Sequence, residues 1–329
     1  MKMGVLQFFS WPERRVDLAT VYNRAIQRIE IMDRSGYDAV WLAEHHFSSF
    51  SVCPSVHMMG TLAAARTRRL RIGMGVSLAA FYHPLRLAEE VALLDVFSGG
   101  RVNWGAGRGF SRGEFAAFGI SPQESAPRFR ETVEIVLQAW SQERLTYRGQ
   151  FFQFEDVEVL PKPAQTPMPV WMAASSRPAI HWAANRGFSI LMDPHSSFSE
   201  IADKRRYYDA TLAAGGFAPA GRDIPIARFI ALAETDAKAE QVARRGAGWL
   251  SAAYVGPTHN AVVQEARDYR GTDLVQHYLD TVILHGTAAR VIDKIRALHD
   301  DAGLEYLMCA PLSHESFVAL TDHVLPRLG

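Results

Sequence analysis

Short apolar runs alternate with amphipathic segments along nearly the whole of this 329-residue chain, and few folds accommodate that rhythm. The runs at 2–9, 40–42, 70–76, 101–106, 170–174, 188–192, 224–233 and 306–310 are short and mostly apolar, so they read as buried strands. Between them, segments such as 18–35, 55–66, 129–140, 201–214, 237–250 and 288–300 place apolar residues at helical spacing; Ile26, Ile29 and Met32 give one such face. Eight strand–helix pairs predict an α/β fold, a (β/α)8 TIM barrel in preference to a doubly wound sheet. Two stretches break the rhythm. Residues 146–159 alternate polar with aromatic and read as a hairpin excursion after the fourth repeat, and 251–284 reads as a long loop after the seventh. No repeat or linker divides the chain, so 1–329 is expected to be a single domain.

In a parallel sheet covered by helices, ligands collect beyond the carboxyl ends of the strands. The stretch Tyr37-Asp38-Ala39-Val40-Trp41-Leu42-Ala43-Glu44-His45-His46-Phe47 runs from an apolar strand straight into a carboxylate and two imidazoles. Glu44, His45 and His46 are therefore placed where chemistry would occur, against the plainer alternative of loop histidines bonded to backbone. Composition narrows the partners. Lys plus Arg and Asp plus Glu balance at 35 each, which provides no net field for nucleic acid or an anionic membrane and favours a small molecule. Cys53 and Cys309 are the only cysteines, too few for a disulfide framework or a thiolate metal cluster, and both read as small core residues in a reducing compartment. The apolar run after Met3 is cut short at Trp11-Pro12-Glu13, and no run reaches membrane-spanning length, so a cytoplasmic protein is expected.

Gly105-Ala106-Gly107-Arg108-Gly109 follows a strand, but its third glycine falls one residue early for a dinucleotide fingerprint. The glycines read better as permitting close backbone approach to a ligand, with Arg108 gripping a phosphate. In Ala174-Ser175-Ser176-Arg177-Pro178, two hydroxyls and a helix N-terminus suit a phosphate, and Ser176 also suits an N-cap. Metal binding is not expected, because adjacent His45 and His46 point apart and no H-E-x-x-H occurs; nor is serine hydrolysis, because no G-x-S-x-G occurs.

Leu42-Ala43-Glu44-His45-His46-Phe47, Arg86 with Glu89/Glu90 and Leu93-Leu94-Asp95, and Ser98 through Gly109 with Glu114-Phe115 and Phe118-Gly119 together resemble the bacterial luciferase family of flavin-dependent monooxygenases. The resemblance runs from Met1 to the final helix and implies a (β/α)8 barrel with the two irregular regions already noted, the second acting as a mobile lid over 255–280. It implies His45 as the catalytic histidine, Arg108 as the phosphate-gripping arginine, and Ser175 and Ser176, with neighbouring Arg177, as the phosphate loop. Gly75-Val76 matches the position of a non-prolyl cis peptide beneath the flavin ring. The implied reaction uses reduced FMN from a separate flavin reductase and dioxygen, through a C4a-hydroperoxyflavin, to oxygenate a small organic substrate. His45 would hydrogen-bond or shuttle a proton to the oxygen adduct, Glu44 would orient the loop, and Phe47, Phe81 and Phe110 would keep the site dry. A homodimer is also expected. Ser175 stands where luciferase has glutamate and Pro194 where it has tryptophan, so light emission is not implied. Two alternatives remain: a deazaflavin-dependent dehydrogenase on the same barrel, and a non-catalytic flavin-binding subunit.

Overall fold

A computed structural model describes residues 1–255 and 273–328. Its strands are β1 (Lys2–Gln7), β2 (Ala39–Leu42), β3 (Arg71–Met74), β4 (Ser77–Leu78), β5 (Val102–Gly107), β6 (Leu145–Arg148), β7 (Gln153–Val157), β8 (Val170–Ala173), β9 (Ser189–Leu191), β10 (Pro225–Leu232), β11 (Leu284–Gly286) and β12 (Tyr306–Pro311). The helices between them are α1 (Leu18–Ser35), α2 (Val56–Arg66), α3 (Pro84–Ser98), α4 (Arg112–Ala117), α5 (Pro122–Ser141), α6 (Arg177–Ala184), α7 (Phe198–Ala214), α8 (Asp236–Val255), α9 (Leu274–Thr281), α10 (Ala288–Ala302) and α11 (His314–Ala319). Local chemistry fixes many of the ends. Asp17 caps α1 by accepting from the Thr20 N–H, and Gly36 ends it at φ 89°, where a Cβ would be strained. Pro84 opens α3, and Ser197 and Glu200 form a reciprocal capping box on α7.

The strands form a curled parallel sheet in the order β11-β10-β12-β1-β2-β3-β5-β8-β9, with β4 paired to β5. A parallel bridge between Met192 and Ile226 brings β9 beside β10. Strand alternation then makes two apolar layers. Met3, Val5, Val40 and Leu42 pack outward against the helices, while Leu6, Trp41, Trp171, Phe229 and Tyr306 fill the inside of the curl. The Trp41 indole donates to the Tyr306 hydroxyl at 3.1 Å and meets Trp171 edge-on, so its one polar atom is satisfied inside an apolar layer. Strands β6 and β7 stand apart as an antiparallel pair.

Several boundaries differ from those read in the sequence. The run at 70–76 is not one strand: it breaks at a cis peptide between Gly75 and Val76, and β4 resumes the pairing with β5. Helix α5 begins at Pro122, seven residues before the predicted start, because Pro127 forfeits a helical hydrogen bond without ending the helix. Short elements α4 and β11 were not predicted, being too brief to show a period. The expected lid over 255–280 falls mostly outside the described residues; 274–281 is α9.

Candidate active site

Register brings the singled-out residues to one end of the sheet. Leu42 pairs with Met74, Ser77 with Ala106, and Ala106 with Met172, so the segments after β2, β3, β5 and β8 emerge side by side. His45 leaves β2 and is pinned by its backbone N–H, which donates to the Cys53 carbonyl at 3.1 Å. Its ring is set among Phe8, Phe50 and Phe110, at centroid distances of 6.2, 5.1 and 6.0 Å. Such a shell lowers the polarity around the imidazole. Phe81 lies instead beside His46, and Phe47 is exposed, so of the three expected aromatic shields only Phe110 touches His45.

Glu44 is buried, and its carboxylate accepts from the Leu78 N–H at 3.2 Å and from the Tyr82 hydroxyl at 3.1 Å, with the His46 ring nitrogen at 3.0 Å. These bonds give Glu44 a positioning role: it ties the His46 ring to the chain that follows β4. Burial and the nearby Glu44 charge push the Tyr82 hydroxyl pKa far up, so Tyr82 remains a donor. The carboxylate facing His45 is Glu114, which the sequence reading named only within a resemblance. Its Oε1 lies 3.8 Å from His45 Nδ1 and accepts from the His46 N–H at 2.9 Å. Burial raises the Glu114 pKa above its usual value, offset partly by the His46 hydrogen bond. The available signal was the Ser-x-x-Glu spacing, since Ser111 caps α4 by accepting from the Glu114 N–H. His195, after β9, was also missed; its Nδ1 lies 2.7 Å from the Tyr278 hydroxyl of α9.

Arg108 emerges from β5 half-buried, donating to Ser125 Oγ at 3.3 Å. Among the described residues no carboxylate pairs with it, and burial lowers its pKa from the usual value. After the paired strand β8, Ser175 is exposed and Ser176 caps α6 by accepting from the Ala179 N–H. A half-buried cation without a described carboxylate, adjacent hydroxyls and a helix N-terminus fit the phosphate of a flavin nucleotide. Arg177 opens α6 exposed, with its guanidinium 4.7 Å from the Tyr207 ring centroid on α7. One expectation is corrected. Gly105 and Gly107 do not admit a ligand: a Cβ on Gly105 would collide with the Met74 carbonyl, and one on Gly107 with the Val76 side chain. The close approach they permit is that of the neighbouring strand.

The chain is similar to known proteins in sequence and in fold. The family model described as luciferase-like monooxygenase matches residues 1–305. A flavin-dependent trigonelline monooxygenase, oxygenase component, from Acinetobacter baylyi is 30% identical over 187 residues, 56% of this chain and 52% of the relative. An uncharacterized protein, y4wF, from Sinorhizobium fredii is 38% identical over 191 residues, 57% of this chain and 56% of the relative. The chain thus spans about half the length of the curated relatives it matches. Among solved structures, the monooxygenase RslO1 from Streptomyces bottropensis superposes with a TM-score of 0.86 at 27% identity, covering 100% of both chains. Two more distant structures share the fold. The oxygenating constituent of a 3,6-diketocamphane monooxygenase from Pseudomonas putida, in complex with FMN, gives TM-score 0.83 at 19% identity, covering 100% of this chain and 99% of that one. An F420-dependent secondary alcohol dehydrogenase gives 0.80 at 16%, with the same coverage. With its histidine and arginine at the carboxyl end of a curled parallel sheet and a family match over 1–305, this chain belongs to the luciferase-like monooxygenase family.

Proposed function

We propose that this chain is the oxygenase of a two-component flavin-dependent monooxygenase, taking reduced FMN from a separate flavin reductase and using dioxygen to oxygenate a small organic substrate. The observation that carries this reading is the pairing, at one sheet end, of His45 in its aromatic shell with half-buried Arg108. Bound reduced FMN would supply the oxygen-activating chemistry. Arg108, Ser175 and Ser176 hold the phosphate, with Gly75 and Val76 on the adjoining strand break beneath the ring. Phe8, Phe50 and Phe110 exclude water from the reacting face. His45 holds or moves a proton at Nε2, and Glu114 fixes the Nδ1 side. Glu44 and Tyr82 hold the loop that carries both histidines.

The Met192–Ile226 bridge supports reading the curled sheet as a closed (β/α)8 barrel, with the β6–β7 hairpin as its excursion. Exposed Met58 on α2 and Leu93, Val96 and Phe97 on α3 support a homodimer formed through that face. Buried, free Cys53 and Cys309 suit a reducing cytoplasm. The direct test of the phosphate assignment is equilibrium binding of FMN and riboflavin to Arg108→Ala. Loss of a charge-assisted hydrogen bond, about 1.5–3 kcal/mol, should fall on FMN and spare riboflavin; equal losses would remove Arg108 from the site.

A further inference from the structure

A second concentration of positive charge lies on the helix side of the sheet, where α5, α6 and α7 meet. Arg130 from α5, Arg177, His181, Trp182 and Arg186 from α6 and its following turn, and Tyr207 from α7 line a groove of about 520 Å³. The three guanidiniums are ordered by aromatic rings. Arg130 and Arg186 lie 5.5 and 5.2 Å from the Trp182 centroid, and Arg177 lies 4.7 Å from that of Tyr207. The Trp182 ring is itself held between Phe129 and Phe188, so the cations sit on a fixed platform. Some exposed arginines elsewhere are matched with carboxylates, as Arg66 is with Glu30 and Arg206 with Asp203. Among the described residues no carboxylate pairs with Arg130, Arg177 or Arg186. The three exposed guanidiniums thus line one groove without a described counter-charge, and a bound anion would supply one.

We infer that this groove binds a small phosphate ester or diphosphate carrying at least two negative charges, through Arg130, Arg177 and Arg186. Guanidinium forks match phosphoryl oxygens in pairs, and the three-fold cation count fits a diphosphate better than a lone monoanion. The neutral acceptors nearby do not oppose an anion, since His181 Nε2 already lies 2.8 Å from the Asn185 amide nitrogen. The same chemistry has two sources, a free diphosphate or the phosphate end of a flavin nucleotide. The inference does not rest on the monooxygenase reading.

The test is calorimetric titration of the full chain with inorganic pyrophosphate at low salt, repeated on Arg130→Gln/Arg186→Gln and on Arg66→Gln, whose arginine is ion-paired with Glu30 outside the groove lining. The wild type should bind saturably, the double variant at least tenfold more weakly, and Arg66→Gln like the wild type; added salt should weaken binding throughout. FMN and riboflavin titrations of the double variant identify the source: a loss for FMN alone assigns the groove to flavin phosphate, and unchanged FMN affinity assigns it to a free diphosphate. Absence of pyrophosphate binding to the wild type would overturn the inference. So would wild-type pyrophosphate affinity in the double variant. Circular dichroism, together with recovery of binding in Arg130→Lys/Arg186→Lys, separates loss of the site from loss of the fold. A chain that failed to bind FMN at all would refute the flavin reading while leaving the pyrophosphate result standing.

Discussion

In the proposed mechanism, proton chemistry is divided between His45, an imidazole in an aromatic shell, and Glu114, a carboxyl whose ionisation is hindered by burial. In His45→Ala, reduced flavin should still bind, but substrate oxygenation should fall about 10²–10⁴-fold with hydrogen peroxide released instead. Coupled oxygen uptake, peroxide and product assays check this; wild-type coupling would remove His45 from the mechanism. His46→Ala should damage the loop rather than the chemistry, because its ring is bonded to Glu44. Glu114 makes a prediction in stability. Its folded pKa lies above the ordinary 4.5, so its contribution is fully present below that value and is lost as pH rises through the folded pKa. Glu114→Gln removes the ionisation while keeping an oxygen for the His46 N–H. Its urea midpoint should therefore gain on the wild type's between about pH 4 and pH 8, and an unchanging gap would contradict the assignment.

Elements were legible where sequence period and capping agreed. Strand β2, helix α1 with its Asp17 cap and Gly36 stop, and the antiparallel pair β6–β7 all follow from local pattern. What pattern could not show was pairwise approach across strands. Gly105 resembled a ligand-facing glycine, yet the structure sets it against the Met74 carbonyl and Leu191 of adjoining strands. Gly105→Ala should then destabilise the fold by about 1–3 kcal/mol through overpacking, read as a lowered urea midpoint. Ser176 carries two predictions because it is both an N-cap and part of the proposed phosphate loop. Ser176→Ala should cost about 1 kcal/mol of stability and weaken FMN more than riboflavin. A stability loss with identical flavin ratios would leave Ser176 as a cap alone. The turn of Glu114 toward His45 was not legible because the direction a side chain takes from a helix N-terminus depends on the packed neighbours, and no single-chain period encodes it.

At the scale of the whole molecule, the sheet and its helices account for the described chain without a second nucleotide-binding unit. Purified protein given FMN and NADH should accordingly oxidise substrate only when an unrelated flavin reductase is added; full turnover without one would end the two-component reading. The family match does not distinguish a flavin from a deazaflavin, because structures of both kinds superpose on this chain. The measurement that decides it is an anaerobic fluorescence titration with photoreduced FMN and, in parallel, with reduced deazaflavin. Reduced FMN should bind saturably, with its affinity cut by Arg108→Ala, and the deazaflavin should bind far more weakly. Tight binding of the reduced deazaflavin with none of reduced FMN would contradict the monooxygenase account.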